Sequence, residues 1–267
     1  MFEILGTIFN TILYQPLLNL LIVFYNMFGK ELGFAIIAMT VFIKLITFPL
    51  SRPSIHFAKK QKELAPQLNK LKAKYTDKKV FAQKQMELYK EHGLNPAAGC
   101  LPIIVQIVVF GFLYRVFTDL LGANGLVSEK VFSMLYDFPW TTIQAAETLK
   151  TSFLMFNLAA VDKTYTLPIL SGLSQFALSK YMAKVNKPGS EVAKTTPDTK
   201  DDIMYNVQEA TTYTLPVMTF FIGISLPAGL SLYWLFSTLL TFFQYWMMNS
   251  DILKYIFNKN EPRTTTN

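Results

Sequence analysis

The chain has 267 residues, of which 51% are hydrophobic, 15% aromatic and only 16% charged, and its formal net charge is +7. The apolar residues come in blocks rather than at core spacing, which sets the chain outside the ordinary soluble class and marks it as an integral membrane protein. One cysteine, Cys100, and two histidines, His56 and His92, exclude a disulfide framework and argue against a zinc or copper site; no phosphate-cradling glycine loop or nucleophile elbow is present, and no cofactor is implied.

Within residues 1–31, Met1–Phe28 is apolar and contains Pro16, without a basic leading region or a small-residue cleavage site, so it does not read as a signal peptide. Asn10, Gln15, Asn19 and Asn26 interrupt the segment, while Leu17, Leu18, Leu21, Phe24, Tyr25 and Phe28 recur at helical spacing. The pattern predicts an amphipathic helix lying in the outer membrane interface, with an extra span beginning in the cytoplasm as the alternative.

The first span is Leu32–Leu50, within a run to Ser51 whose sole charge is Lys44. A charge at mid-helix costs about 2.5–3.5 kcal/mol on insertion scales, so an intramembrane lysine is a functional candidate by default. It lies about 18 Å from Leu32 and about 9 Å from Leu50 along a helix rising about 1.5 Å per residue, in the inner half of the bilayer. Residues 51–94 hold eleven Lys/Arg against four Asp/Glu. Within them Leu64, Leu68, Leu71 and Tyr75 form one helical stripe; Asp77 is an N-cap for a second helix carrying Phe81, Leu88 and Tyr89 and ending at Gly93. The prediction is a basic cytoplasmic helical hairpin, either a solvated charged surface or a contact for anionic lipid or ribosomal RNA.

The second span is Asn95–Phe117, with Arg115 at its outer end expected to snorkel to the headgroups. Residues 118–163 form an extracytoplasmic loop, and Asp119–Lys163 carries three Lys against five acids. The third span is Thr164–Tyr181, followed by a cytoplasmic loop over 182–206. The uncharged stretch Ala210–Ser250, 41 residues, is too long for one helix. It divides at Leu226-Pro227-Ala228-Gly229 into spans Val207–Ser225 and Ala228–Met248, the turn and fifth span together occupying 226–248. Residues 249–267 form a tail with Lys254, Lys259 and Arg263. Lysine and arginine placement sets the amino end outside and the carboxyl end in the cytoplasm.

Several motifs resemble one family. Tyr14-Gln15-Pro16-Leu17, Gly33-Phe34-Ala35-Ile36-Ile37, Ile43-Lys44-Leu45 and Phe48-Pro49-Leu50 are similar to the first core segment of YidC-type membrane protein insertases, the YidC/Oxa superfamily. Leu64-Ala65-Pro66-Gln67-Leu68 resembles their hairpin. The most specific block is Glu91-His92-Gly93-Leu94-Asn95-Pro96 with Gly99-Cys100-Leu101-Pro102-Ile103 and Gln106. Leu167-Pro168-Ile169-Leu170, Leu226-Pro227-Ala228-Gly229-Leu230 and Leu232-Tyr233-Trp234 complete the order, over roughly residues 11–250.

The resemblance implies an all-α, five-transmembrane-helix insertase core of the bacterial plasma (inner) membrane, whose hydrophilic groove opens to cytoplasm and lipid. It implies a membrane insertase and folding chaperone rather than an enzyme. The chain shows neither the large extracytoplasmic domain of some members nor the amino-terminal lipid-attachment cysteine of others. The groove charge of the family is usually arginine, a rigid five-donor fork, whereas Lys44 is a flexible point charge that burial can neutralise. Its tail is short and mildly basic, which weakens ribosome docking through it.

Thr40 precedes Lys44 by four residues and shares its helix face. Gln106, Ser174 and Gln175 add polar groups on the second and third spans, and Trp234 marks the fifth. Each has a plain reading as an interhelical contact worth about 0.6 kcal/mol, or as packing for Trp234. Together they outline a substrate groove with one uncompensated cation, whose anionic partner would be the acidic tail of a nascent membrane protein. The ribosome, a Sec translocon and anionic lipid headgroups are candidate further partners; DNA is not. The rival readings are a small-molecule or ion transporter coupled through Lys44, against which no internal repeat is found, and a ribosome-tethering anchor.

Overall fold

The computed structural model describes residues 9–75, 77–95, 97–121, 129–141, 143, 148–185 and 203–249. The first eight residues of the expected interfacial segment, most of the 182–206 loop and all but Asn249 of the tail lie outside the described residues; Cys100 is placed on its helix without a described side chain. The described residues are mostly helical and include two helical stretches of 20 residues apolar enough to cross a membrane, Leu32–Ser51 and Leu101–Leu120; Thr212–Gly223 is a shorter apolar stretch.

Helix α1 (Gln15–Met27) follows a π-helical turn over Asn10–Tyr14, with Pro16 near the junction. Its buried residues Leu18, Leu21, Ile22 and Tyr25 recur at helical spacing and enter the main core. There they meet Leu32, Ala35, Ile36 and Met39 of α2 (Leu32–Lys74) and Leu113, Val116, Phe117 and Leu120 of α4 (Ala97–Leu121). The asparagines that punctuate α1 have partners. Asn19 is buried; its Nδ2 donates to the carbonyl of Met134 (3.0 Å), and its Oδ1 accepts from the backbone N–H of Tyr136 (2.7 Å). Gln15 Nε2 donates to the same Met134 carbonyl (3.1 Å), and Asn26 Nδ2 to that of Trp140 (2.8 Å). The polar face of α1 thus holds the segment that follows α4, so its polarity answers a protein contact as well as any interface.

Arg115 differs from the snorkelling expectation. It donates to Asn10 Oδ1 (2.6 Å), lies 3.8 Å from the Asp119 carboxylate and sits 4.7 Å over the Tyr14 ring. Tyr14 in turn donates to Asp119 Oδ2 (2.8 Å). Helix α4 continues four residues past Phe117 to Leu121, which places Asp119 one turn beyond Arg115 as a local counter-ion. Burial first, and then the Asp119 carboxylate, hold the Tyr14 phenol protonated well above its ordinary range.

Helix α2 is one continuous element of 43 residues through Pro49, Pro53 and Pro66. The apolar stretch and the first basic helix are therefore joined without a break. Helix α3 (Lys78–Glu91) is capped by Asp77, whose Oδ1 accepts from the N–H groups of Lys79 (2.7 Å) and Val80 (3.3 Å). It folds back on the second half of α2 around a small core of Phe57, Leu64, Tyr89 and Leu94, with Leu68 against it. Gly93, at φ +65, closes α3 in the left-handed conformation that glycine adopts without a Cβ penalty.

After α4 come a short helix α5 (Glu129–Phe132) and a hairpin of β1 (Ser152–Phe153) and β2 (Phe156–Asn157), antiparallel with Phe153 opposite Phe156. Helix α6 (Thr166–Val185) packs with α7 (Ile203–Gly223) and α8 (Ala228–Asn249). The turn between α7 and α8 is pinned from outside: the N–H groups of Ala228 and Gly229 donate to the carbonyls of Ala160 (2.8 Å) and Leu158 (3.0 Å). A Cβ on Gly229 would stand 2.5 Å from the Phe117 ring and 3.1 Å from the Leu158 carbonyl, so this approach requires glycine. Helix α8 also packs along α2 and α4, and the three helices meet at Lys44.

Candidate functional site: a lysine held by neutral acceptors

Lys44 lies on α2 one turn before the Phe48-Pro49 step and is partly buried. Its Nζ donates to Gln106 Oε1 on α4 (3.0 Å) and to Thr241 Oγ1 on α8 (2.9 Å). The orientation of both acceptors follows from inventory. The Thr241 hydroxyl donates its proton to the Ser237 carbonyl (2.8 Å), leaving its lone pairs for Lys44. Gln106 Oε1 also accepts from Ser237 Oγ (3.0 Å), and its Nε2 donates to Tyr233 Oη (3.0 Å). The two hydroxyls would tolerate either amide orientation, but an ammonium only donates, so Lys44 selects the one with oxygen facing it. Gln244 Nε2 adds a bond to the Lys44 carbonyl (3.3 Å).

Among the described residues no carboxylate joins this cluster. Ion pairs join Lys60 to Glu63, Lys84 to Glu87, Arg115 to Asp119 and Lys150 to Glu31, and none of these touches Lys44. Two of the three ammonium protons are used on neutral oxygens; the third has no partner among the described residues. Nor do the described residues contain three His, Cys, Asp or Glu side chains grouped as a metal site. Chemically, the cluster can present a single positively charged donor to an anion.

The other residues singled out from sequence fall at varied distances from this centre. Thr40 is fully buried, and its hydroxyl is used within α2, donating to the Ile36 carbonyl (2.6 Å). Ser174 likewise donates to Ser171 within α6 (2.9 Å). Gln175 is buried between α6 and α8 and accepts from Thr238 Oγ1 (3.4 Å), on a neighbouring face of α8. Trp234 packs edge-on against Phe110 with ring centroids 4.8 Å apart. Of the six, Lys44 and Gln106 are hydrogen-bonded to each other through their side chains, and none of the remaining four receives a bond from the Lys44 ammonium.

Tyr233, Ser237, Thr241 and Gln244 belong to the cluster and were not anticipated. Their signal is plain once sought: spacings of four, four and three put them on one face of an otherwise apolar helix. A polar stripe inside an apolar helix faces protein or water rather than lipid. Ser54 and Tyr245 continue the α2–α8 contact, with hydroxyls 3.3 Å apart.

Comparison with known proteins accounts for most of the chain. The model of the 60Kd inner membrane protein family matches residues 23–255. A membrane protein insertase YidC of Lawsonia intracellularis is 33% identical over 239 residues, 89% of this chain and 38% of that protein. One of Campylobacter jejuni is 32% identical over 257 residues, 96% of this chain and 40% of that protein. One of Oceanobacillus iheyensis is 30% identical over 251 residues, 92% of this chain and 85% of that protein. The chain thus spans about two fifths of the first two relatives and most of the third. The family's description and these bacterial relatives indicate a protein of the bacterial inner membrane. With the family model covering residues 23–255 and these relatives aligned along nearly its whole length, the chain belongs to the 60Kd inner membrane protein family, that of the YidC-type insertases.

Proposed function

We propose that this protein inserts membrane proteins and assists their folding, using Lys44 as the point of attraction for an acidic client segment. The observation that carries this reading is the cation itself: a lysine on an apolar helix, held by Gln106 and Thr241, with no carboxylate partner among the described residues. A cation of this kind is costly in hydrocarbon and is retained where it meets something anionic. Its polar surround of Gln106, Tyr233, Ser237 and Thr241 lowers the cost of bringing a hydrophilic tail to it.

In this reading α2 up to Ser51, α4, α6, α7 and α8 are the five spans. The last three have 20, 21 and 22 residues, about 30 Å each, the thickness of the hydrocarbon core. The amino end is outside, the carboxyl end is cytoplasmic, and the second half of α2 with α3 forms the basic cytoplasmic hairpin. A client tail enters from the cytoplasm, is held transiently by Lys44 through the N–H that has no partner among the described residues, and crosses; the client's apolar segment then leaves into lipid. Burial of that segment, worth about 25 cal/mol per Å² of apolar surface, makes insertion downhill. Nascent membrane proteins are the substrates, and ribosome, translocon and anionic headgroups are partners that the basic hairpin could serve.

The test is insertion of acidic-tailed and neutral-tailed clients into vesicles containing the purified protein. Lys44→Ala should abolish insertion of the acidic client and spare the neutral one, and Lys44→Arg should retain both. Full activity of Lys44→Ala on the acidic client would remove the charge role. Deleting residues 54–91 separates a tether, which would lose everything, from an insertase, which keeps part of its activity.

A further inference from the structure

The β1–β2 hairpin ends in a two-residue turn, Leu154-Met155, which joins Phe153 to its partner Phe156. Two-residue hairpin turns are ordinarily built from Asn-Gly, Asp-Gly or Gly-containing pairs, because they need a left-handed backbone that glycine and asparagine tolerate. Here Leu154 takes that conformation, φ +54. Its side chain is 85% exposed and that of Met155 is 77% exposed, the two most exposed large apolar side chains among the described residues. A bulky residue with positive φ is an outlier for a large side chain. Water favours neither the backbone nor the exposure.

The position of the turn supplies the missing partner. Phe153 covers Gly33, where an added Cβ would overlap its ring, and packs edge-on against Phe34 at 5.2 Å. Gly33 and Phe34 are the second and third residues of the apolar stretch Leu32–Ser51. Phe34 also begins an exposed apolar stripe that continues at Val41 and Leu45. The hairpin therefore sits at one end of this stretch, over the face of α2 turned away from the protein. Both flanks are tied down: Lys150 pairs with Glu31 through its ammonium and donates its backbone N–H to Tyr25 Oη (2.9 Å), and Leu158 accepts from Gly229. The tip is held outward. Its two side chains are far too small a surface for a stable contact with another protein, which needs about 800 Å² per partner.

We propose that Leu154-Met155 is a lipid anchor, inserted at the headgroup–acyl boundary of the leaflet where α2 begins. It rests on the reading of α2 as a span and continues that span's lipid-facing stripe. Phe28, 44% exposed with its ring 6.5 Å from Phe34, extends the exposed apolar surface at the same level. Anchored there, the hairpin fixes the height of the segment that pins the α7–α8 turn.

The test uses single cysteines at positions 154, 155, 45 and 163 in a Cys100→Ser background, each nitroxide-labelled in the full protein in phosphatidylcholine vesicles. Relaxation by oxygen, which partitions into lipid, is compared with relaxation by a water-soluble nickel chelate. Labels at 154 and 155 should follow the Leu45 position, favouring oxygen, while Lys163 favours the chelate. Labels at 154 and 155 that follow Lys163 while position 45 stays lipid-like overturn the anchor alone. A label at position 45 that behaves as in water removes the span, and the anchor with it. Protection that disappears on diluting the protein in lipid would mean a contact between copies and would likewise overturn the anchor. As a second arm, Leu154→Asn with Met155→Gly should keep the detergent Tm at or above that of the parent. It should raise chelate access at a Ser152 label at least twofold in vesicles; unchanged access refutes the anchor.

Discussion

Replacing Gln106 by glutamate would place a carboxylate where an amide oxygen now lies 3.0 Å from the Lys44 ammonium. The exchange is nearly isosteric, and the neighbours can adapt: Ser237 still donates to the side-chain oxygen, and the Tyr233 hydroxyl, freed from accepting, can donate to the other. The protein should therefore fold while carrying its own counter-ion. Two unit charges about 4 Å apart interact by roughly 4 kcal/mol at an effective dielectric constant of about 20. Because Lys44 is only partly buried, solvent screening reduces that to about 1.5–2 kcal/mol. In the proposed function a client carboxylate must displace this internal partner, so insertion of acidic-tailed clients should fall about 10–30-fold, with neutral-tailed clients within about twofold of the parent. The assay is protease protection of both clients in vesicles, with folding checked by thermal unfolding in detergent. Parent-level insertion of the acidic client by a folded Gln106→Glu protein would refute the idea that an unpaired Lys44 does the attracting.

Other consequences concern the frame around the site. Asn19→Leu would leave the Met134 carbonyl short of a donor and the Tyr136 N–H without its acceptor, costing about 2–4 kcal/mol and raising hydrogen exchange at 134–136. Gly229→Ala should lower stability by about 1–3 kcal/mol in detergent unfolding, since its methyl meets Phe117 and the Leu158 carbonyl. Asp162 is buried, which raises its pKa, but bonds from the Thr164 hydroxyl and the N–H groups of Leu167, Thr164 and Thr166 outweigh that and hold it below the usual carboxylate value. Its stabilisation is accordingly complete above the ordinary carboxylate range and is lost as pH falls through the lowered value. Asp162→Asn, which weakens charge-assisted bonds to neutral ones, should unfold about 1 kcal/mol more easily at pH 7 and show a flatter acid limb in a Tm-against-pH series. Arg115→Ala should loosen the turn Asn10–Tyr14, seen as faster amide exchange there, with a modest loss of about 1 kcal/mol because the guanidinium is half exposed.

Helices were legible from the chain because their signals are local. Asp77 is followed by a helix, Gly93 ends it, and Leu226-Pro227-Ala228-Gly229 separates two runs that together are too long for one span. The continuity of α2 past Pro49 and Pro53 was not legible. Proline weakens a helix locally, but packing of the second half of α2 against α3 through Phe57, Leu64 and Tyr89 holds the element together. The polar residues of α1 show a similar limit: spacing placed them on a face, while the partner of that face, Met134 and Tyr136, lies more than a hundred residues away.

Lys44 stands out in the linear chain because charge is expensive in an apolar helix, and that cost needs no structure to be seen. Which groups receive it is another matter. Gln106 is 62 residues from Lys44 and Thr241 is 197, and only the crossing of α2, α4 and α8 brings them within hydrogen-bond distance. The chain by itself therefore determined that a lone cation would lie within an apolar stretch long enough to cross a bilayer, a consequence of one residue's chemistry. The tertiary structure decided that its partners among the described residues are neutral and leave one N–H over, because long-range packing selects which side chains share a small volume.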